Sequence, residues 1–252
     1  MSNNYNPFSL KGKIILVTGA SSGIGKATAI ECSKMGATLI ITGRNETRLI
    51  ETINQLEGIG HTSVIADLAS QEGRGKVFNI IDHIDGVVHC AGISGHKVFQ
   101  FLNENEIHRM FEINFNVPLL LSRDLIKKKK INNGGSIVFL TSTSGIISSY
   151  IGGSLYSSTK GALNGLIKGM ALELAAKNIR VNSVMPSMVS TPIMNSGQLT
   201  PEQFEEDRKR YPLKRYGYPE EVAFAVVYLL SNASAWTTGT NLLLDGGLSI
   251  AY

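Results

Sequence analysis

Tyr156 and Lys160 stand four residues apart in a stretch, 154–177, whose apolar positions Leu163, Leu166, Ile167, Met170 and Leu174 recur at helical spacing. That spacing puts the phenol and the ammonium on one helix face. A phenol with a reference pKa near 10 holds its proton at pH 7, but a neighbouring ammonium favours the phenolate and makes the tyrosine a usable acid or base. The chemistry on offer is proton exchange with a hydroxyl or carbonyl oxygen. Alone, the pair is a common coincidence in helices, so its meaning depends on what lies beside it.

A second group could hold a dinucleotide. An apolar run at 13–17 leads into Thr18-Gly19-Ala20-Ser21-Ser22-Gly23-Ile24-Gly25, and a helical pattern follows from Lys26 to Gly36. Strand, glycine turn and helix start together suit a pyrophosphate, because the backbone can approach closely and helix N–H groups face the anion. The register excludes a Walker A loop, since Ala20 and Ala27 stand where Gly and Ser or Thr are needed, and it excludes the ordinary G-x-G-x-x-G, since Thr28 replaces the last glycine.

At 42–45 the second apolar run ends in Thr-Gly-Arg-Asn. A carboxylate here would hold a ribose 2′-hydroxyl and repel a 2′-phosphate; Arg44 can instead fork onto that phosphate, with Arg48 one helical turn further on. An ordinary surface arginine fits the same position. Asp67 closes the third run, where it can accept a bond from an adenine amino group or cap the next helix.

These groups need a scaffold, and β-rich runs at 13–17, 38–42, 62–66, 86–90, 136–141, 180–185 and 241–244 alternate with helical patterns. Seven such strands predict a parallel sheet with helices on both faces, because parallel neighbours need long, right-handed crossovers. The expected fold is a single Rossmann-type, doubly wound α/β domain over 1–252. A chain of 252 residues that is 43% hydrophobic can fill such a core. The segment 187–217 breaks the alternation with Pro192, Pro201, Pro212 and dense mixed charge. It follows the sixth strand at the carboxyl edge, where open α/β sheets bind ligands, and is expected to act as a substrate lid; a plain surface loop is the other reading.

Composition narrows the function. Twenty-four basic residues against 20 acidic ones leave a near balance, which argues against a nucleic-acid binder. Cys32 and Cys90 lie in apolar segments without metal-ligand or redox spacing, so no metal is expected and both thiols should be reduced and buried. The Asn-rich start is no secretory signal, and the longest apolar run, 222–230, is too short to span a bilayer; a cytoplasmic protein is expected. The lysines 127–130 end a helical pattern before the turn-forming cluster Asn132, Asn133, Gly134 and Gly135.

TGASSGIG at 18–25, Asp67-Leu68, CAG at 90–92, Asn114, GSIVFLTSTSG at 135–145, YSSTK at 156–160, RVNSVMP at 180–186, PLKRYGYPEEVA at 212–223 and DGG at 245–247 occur in this order. In them the chain resembles the short-chain dehydrogenases/reductases with a Tyr-Lys-Ser-Asn catalytic set, and the 212–223 and 245–247 stretches resemble 3-oxoacyl-[acyl-carrier-protein] reductases. The resemblance implies hydride transfer between a nicotinamide cofactor and a carbonyl or secondary alcohol. Tyr156 would donate the proton, Lys160 would lower its pKa and hold the nicotinamide ribose, Ser142 would bond the substrate oxygen, and Asn114 would hold a relay water. Pro118 has no N–H, which deprives the Asn114 carbonyl of its helical partner and leaves it free for that water, although Asn114 also fits as a structural residue at a kink.

The cofactor would rest on Gly19, Ser21, Ser22, Gly23, Ile24, Gly25, Arg44, Asn45, Asp67, Leu68, Ala91, Gly92, Tyr156, Lys160, Pro186, Val189 and Thr191, with NADP(H) favoured over NAD(H). The implied partners are a small-molecule or acyl-thioester substrate, an acyl carrier protein that lysines 127–130 would meet, and further copies of the chain in a dimer or tetramer. Sugar, polyol or other secondary-alcohol oxidation remains open, as does a non-catalytic dinucleotide sensor. There are departures from the family pattern. His89 stands where the first asparagine of N-N-A-G is usual, Ser187 replaces a glycine after Pro186, the segment from Asp67 to His89 is short, and the interval from Ser142 to Tyr156 is one residue longer than usual, leaving Thr143 and Ser144 as rivals to Ser142.

Overall fold

Strand residues of this chain alternate between two apolar faces. Ile15 and Val17 point one way and Leu16 the other; Val88, Val138 and Leu140 join the first set, Val87, Ile137 and Phe139 the second. A period of two with both faces apolar demands cover on both sides. The computed structural model, which describes residues 5–192 and 200–251, supplies it. The strands β1 (Ile14–Thr18), β2 (Thr38–Gly43), β3 (Thr62–Ile65), β4 (Ile84–His89), β5 (Ile131–Leu140), β6 (Arg180–Pro186) and β7 (Asn241–Leu244) form one parallel sheet in the order β3-β2-β1-β4-β5-β6-β7. The expected seven-stranded doubly wound α/β fold is therefore present.

On one face lie α1 (Gly23–Lys34), α2 (Glu46–Ile53) and α8 (Pro219–Leu230), packed through Ala29, Cys32, Leu49, Val222 and Val226. On the other lie α3 (Gln71–Ile80), α5 (Val117–Lys127) and α6 (Ser154–Leu174), through Val77, Leu121, Leu125, Leu163 and Ile167. Strand order reverses between β1 and β4, where such sheets open a crevice at their carboxyl ends. Buried Arg180, at the start of β6, donates to the carbonyls of Leu229 and Ser231 and to Ser234 Oγ, giving the last turn of α8 the cation its own sequence lacks.

Two local expectations need correction. The cluster 132–135, read as a turn, lies inside β5: the register steps from Ile84↔Ile131 to Gly86↔Ser136, a bulge that Asp85 stitches shut by accepting from Asn132 Nδ2 at 2.8 Å and from the Ile14 N–H at 2.8 Å. The kink expected at Pro118 is a turn of π-helix, Glu112–Asn116, between α4 (Glu104–Phe111) and α5; Pro118 sits in the first turn of α5, where its missing N–H costs little. The lysines 127–130 end α5 just before β5 begins, at the opposite end of that strand from Ser142.

The segment after β6 leaves and returns at one place. The Ser190 N–H donates to the Gly217 carbonyl at 2.9 Å and the Gly217 N–H to the Met188 carbonyl at 3.0 Å. Between them, α7 (Pro201–Lys209) is capped by Thr200 and Gln203. Of the expected lid, 193–199 lies outside the described residues.

Candidate active site

Gly19 leaves β1 with φ +66°, and a Cβ there would stand 2.7 Å from the Ala91 nitrogen; a Cβ on Gly25 would stand 2.3 Å from the Gly19 oxygen. Only glycine lets β1, the turn and the end of β4 approach this closely. The helices α2, α3, α4 and α7 have side-chain caps from Asn45, Ser70, Asn103 and Thr200, whereas Ser22 makes no capping bond to α1 and the first turn of α1 holds no acidic residue. The first N–H groups of α1 thus stay available to an anion.

The cleft above them is lined by Gly19, Ser21, Ser22, Gly23, Ile24 and Gly25, by Arg44, by Asp67 and Leu68, by Ala91 and Gly92, and by Thr191. These are twelve of the seventeen expected cofactor residues, drawn from four strand ends and the segment after β6; Tyr156 and Lys160 are not in the lining. Nor is Asn45: its Oδ1 accepts from the Arg48 N–H at 2.9 Å and caps α2. Pro186 accepts from the Thr143 N–H inside the sheet, and Val189 is buried in the bridge to Gly217. Asp67 does not cap α3, a task that falls to Ser70; its Oδ1 accepts from the Ala69 N–H. Arg44 is exposed at the cleft edge and, among the described residues, forms no ion pair. Ile93, Ile113 and Val117 also line the cleft. No sequence signal marked them, since the π turn that delivers Ile113 and Val117 has no pattern of its own.

Two of the catalytic candidates, Asn114 and Lys160, lie next to Gly92 on the cleft wall. Ser142 lies two residues beyond β5, and its hydroxyl is close enough to the phenol of Tyr156, in the first turn of α6, to lower the phenol's pKa. Of its rivals, Thr143 is buried under the turn, where its carbonyl accepts from the N–H groups of Ile147 and Ser148, and Ser144 pairs with Ser148. Lys160, one turn beyond Tyr156, is buried and donates to the Leu140 carbonyl at 2.7 Å. Gly92 forms the floor: a Cβ there would lie 3.3 Å from Asn114 Oδ1 and 3.8 Å from Lys160 Nζ. Asn114 is braced at both ends of its side chain, Oδ1 accepting from the Ile93 N–H at 2.8 Å and Nδ2 donating to the Ile93 carbonyl at 2.9 Å and to Thr159 Oγ1 at 3.2 Å.

Burial dominates the electrostatics. It pushes the Tyr156 phenol up to about 12, with nearby Tyr150 adding to the rise and the neighbouring Ser142 hydroxyl opposing it. It pulls Lys160 down to about 8. The Lys160 ammonium donates to the Leu140 carbonyl and stands 5.8 Å from the centre of the Tyr156 ring. Tyr156 is therefore a protonated acid at neutral pH, suited to giving a proton to an oxygen that becomes strongly basic. Both cysteines are free, but Cys90 is only half-buried, on the cleft wall; burial around its sulfur holds the thiol at about 12 and unreactive. His89 is wholly integrated: Nε2 bonds Ser122 Oγ at 2.8 Å, the ring stacks on Phe139, and burial lowers its pKa to about 3.

A family model described as enoyl-(acyl carrier protein) reductase matches residues 19–249. The chain is 33% identical over 239 residues to the 3-oxoacyl-[acyl-carrier-protein] reductase of Rickettsia prowazekii, covering 95% of this chain and 98% of that protein. Among solved structures it is similar to a 3-ketoacyl-(acyl-carrier-protein) reductase from Brucella melitensis complexed with NADH, with TM-score 0.86 and 29% identity over 96% of this chain and 100% of that one. It is also similar to a putative NAD(P)-dependent gluconate 5-dehydrogenase from Beutenbergia cavernae with bound NADP, with TM-score 0.88 and 28% identity over 98% and 100%.

Proposed function

The chain belongs to the short-chain dehydrogenase/reductase family, and from that premise we propose that it is an NADPH-dependent reductase of a 3-oxoacyl thioester or similar carbonyl compound. The observation that carries the reading is the approach of Lys160 and Asn114 to Gly92, on the wall of a glycine-rich cleft, with Tyr156 one helical turn before Lys160. The cleft fits a nicotinamide dinucleotide: its glycines leave room that a Cβ would fill, α1 offers uncapped N–H groups, and Arg44 marks the edge where a 2′-phosphate would lie. That cofactor, when bound, supplies the hydride or takes it up.

The protein's own residues handle the oxygen. As the carbonyl carbon gains hydride, a C–H bond forms, the C=O π pair moves to oxygen, and Tyr156 gives that oxygen its proton while the Ser142 hydroxyl hydrogen-bonds to it. Lys160, on the next turn of α6, would bond the ribose and replenish the phenol's proton. The main-chain carbonyl of Asn114 would hold the relay water, since the side chain is fully engaged with Ile93 and Thr159. The 187–217 segment would close over the substrate. The chain would work in the cytoplasm as a homodimer or homotetramer joined through the helices that carry Asn114 and Tyr156. Among the described residues no helix is long and apolar enough to cross a membrane.

The likeness to the gluconate 5-dehydrogenase favours a second reading, oxidation of a sugar acid, sugar or polyol. A dinucleotide sensor without turnover would not need Ser142 beside Tyr156. The deciding experiment is oxidation of NADPH and NADH with acetoacetyl-CoA, then with a panel of ketones and keto-sugars. NADPH-selective turnover of the thioester supports the first reading, turnover confined to keto-sugars the second, and none at all the sensor.

A further inference from the structure

The loop after β4 and the loop after β5 flank Tyr156, and the Lys97 N–H joins them by donating to the Gly152 carbonyl at 2.9 Å. His96 of the first loop stacks at 11° on Tyr150 of the second. Glycines make this possible: a Cβ on Gly152 would lie 2.9 Å from the His96 ring, and one on Gly153 would lie 2.7 Å from the Tyr150 ring. Tyr150 in turn lies near enough to Tyr156 to raise its pKa.

Outward from this joint the two loops are apolar and uncovered. Phe99 is 76% exposed and Ile151 84%, and Val98, Phe101, Ile147 and Tyr150 are exposed beside them in sequence. Over 93–103 and 144–153 the sole Lys, Arg, Asp or Glu is Lys97, and Glu106 already neutralises it at 2.7 Å. Polyol recognition needs converging, unspent polar side chains, because each sugar hydroxyl taken from water must be re-bonded. These loops offer few: Ser149 bonds Ser157, and His96 is stacked. Large apolar side chains left in water next to a reacting group mark a binding surface for apolar matter.

We propose that this rim, with Phe99 and Ile151 at its edges, binds an unbranched acyl or alkyl chain attached to the carbonyl that Tyr156 protonates. The inference rests on the carbonyl-reductase reading above and deepens it, selecting acyl chains over sugars. The chain lies on the rim and leads the carbonyl past Tyr150 to Tyr156.

The test is a series of 3-oxoacyl N-acetylcysteamine thioesters of four, eight and twelve carbons, with Phe99→Ser and Ile151→Ser beside the unchanged protein. A buried methylene is worth a factor of about four at most. The expected result is a rise in kcat/KM of roughly 30-fold from four to eight carbons, shrinking to about threefold or less in each variant while turnover of the four-carbon substrate stays unchanged. A flat series in the unchanged protein overturns the proposal. So does a steep series in both variants, or a loss of oligomeric mass in the variants with the series intact, which would make the rim a contact between copies. Should no carbonyl be reduced at all, the oxidoreductase reading fails by itself. Chain binding is then read by titrating NADP⁺-loaded protein with butyryl and octanoyl thioesters: tighter octanoyl binding that the variants abolish supports the rim, and equal binding overturns it.

Discussion

Gly145 lies so close to the carbonyl of Ser157 that a Cβ at 145 would sit 2.0 Å from that oxygen, and its φ is +91°. Gly161, one turn further along α6, makes room on the same side: a Cβ there would lie 2.8 Å from the Gly145 oxygen. The turn after β5 is thereby pressed onto the first two turns of α6, which holds Ser142 within reach of Tyr156. This contact replaces distance along the chain, for 14 positions separate the two hydroxyls in sequence.

Replacing Gly145 with Ala should therefore act on turnover more than on the cofactor cleft. The added methyl meets backbone, not a movable side chain, and the left-handed conformation is strained for alanine. Steady-state kinetics should show kcat lowered by about 100-fold or more, the order of magnitude for a displaced catalytic group, while NADPH binding by fluorescence titration changes less than about threefold. A variant with the kcat of the unchanged protein would mean that Gly145 does not set the Ser142–Tyr156 geometry.

Tyr156→Phe should lower turnover by about 10²–10⁴-fold, the span usual for loss of general acid catalysis, with the cofactor still bound. The pH dependence has a definite sign. A phenol at about 12 is protonated throughout the neutral range, so reduction should be insensitive to phenol ionisation below pH 8. Alcohol oxidation needs the phenolate and should rise with pH, approaching tenfold per unit. An oxidation rate that is flat from pH 6 to 9 would mean that another base accepts the proton or that a step other than chemistry limits the rate; a solvent isotope effect on the same reaction separates the two.

Arg44→Ala should weaken NADPH by about 10–100-fold, the worth of a charged hydrogen bond, and NADH by less than about threefold. Equal losses for both cofactors would remove Arg44 from 2′-phosphate recognition.

His89 ties acid stability to the wall of the cleft. Folded, its imidazole stays neutral down to about pH 3; unfolded, it takes a proton below about 6.5. The unfolded state thus binds more protons between these values, and stability falls as pH drops through that window by up to about 1.4 kcal/mol per unit from this one group. In His89→Asn, urea unfolding between pH 6 and 4 should show a pH slope shallower by about one proton. An unchanged slope would show that His89 titrates in the folded protein as it does in the unfolded chain.

The seven strands were legible to within a few residues, because β-branched runs bounded by turn residues leave little choice. The exception was β5, whose first residues Asn132, Asn133, Gly134 and Gly135 have turn chemistry; only the distant carboxylate of Asp85 explains why they remain in the sheet. Local pattern likewise gave Pro118 a kink but not the π turn ahead of it. Spacing singled out the glycine turn, Arg44 and the Tyr156–Lys160 pair, but the roles of Arg44 and the pair came from what the resemblance implies. The state of Tyr156 was not legible, because it depends on burial, and burial is not written in the motif. Asn45 was misplaced for a similar reason: a residue next to a ligand cleft had a nearer task as a helix cap.

The pairing of Ser190 with Gly217 has an evolutionary consequence. Because the chain leaves the scaffold at Ser190 and is anchored again from Tyr211, whose buried ring bonds Ser187, to Gly217, the stretch between Ser190 and Tyr211 can lengthen or shorten at a loop-closure cost of only about 0.6 kcal/mol per doubling. The sheet, the glycine turn and Tyr156 lie outside that stretch. Selection can thus exchange the enclosed stretch as a cassette, trying new substrates on an inherited reaction centre without having to reinvent the fold beneath it.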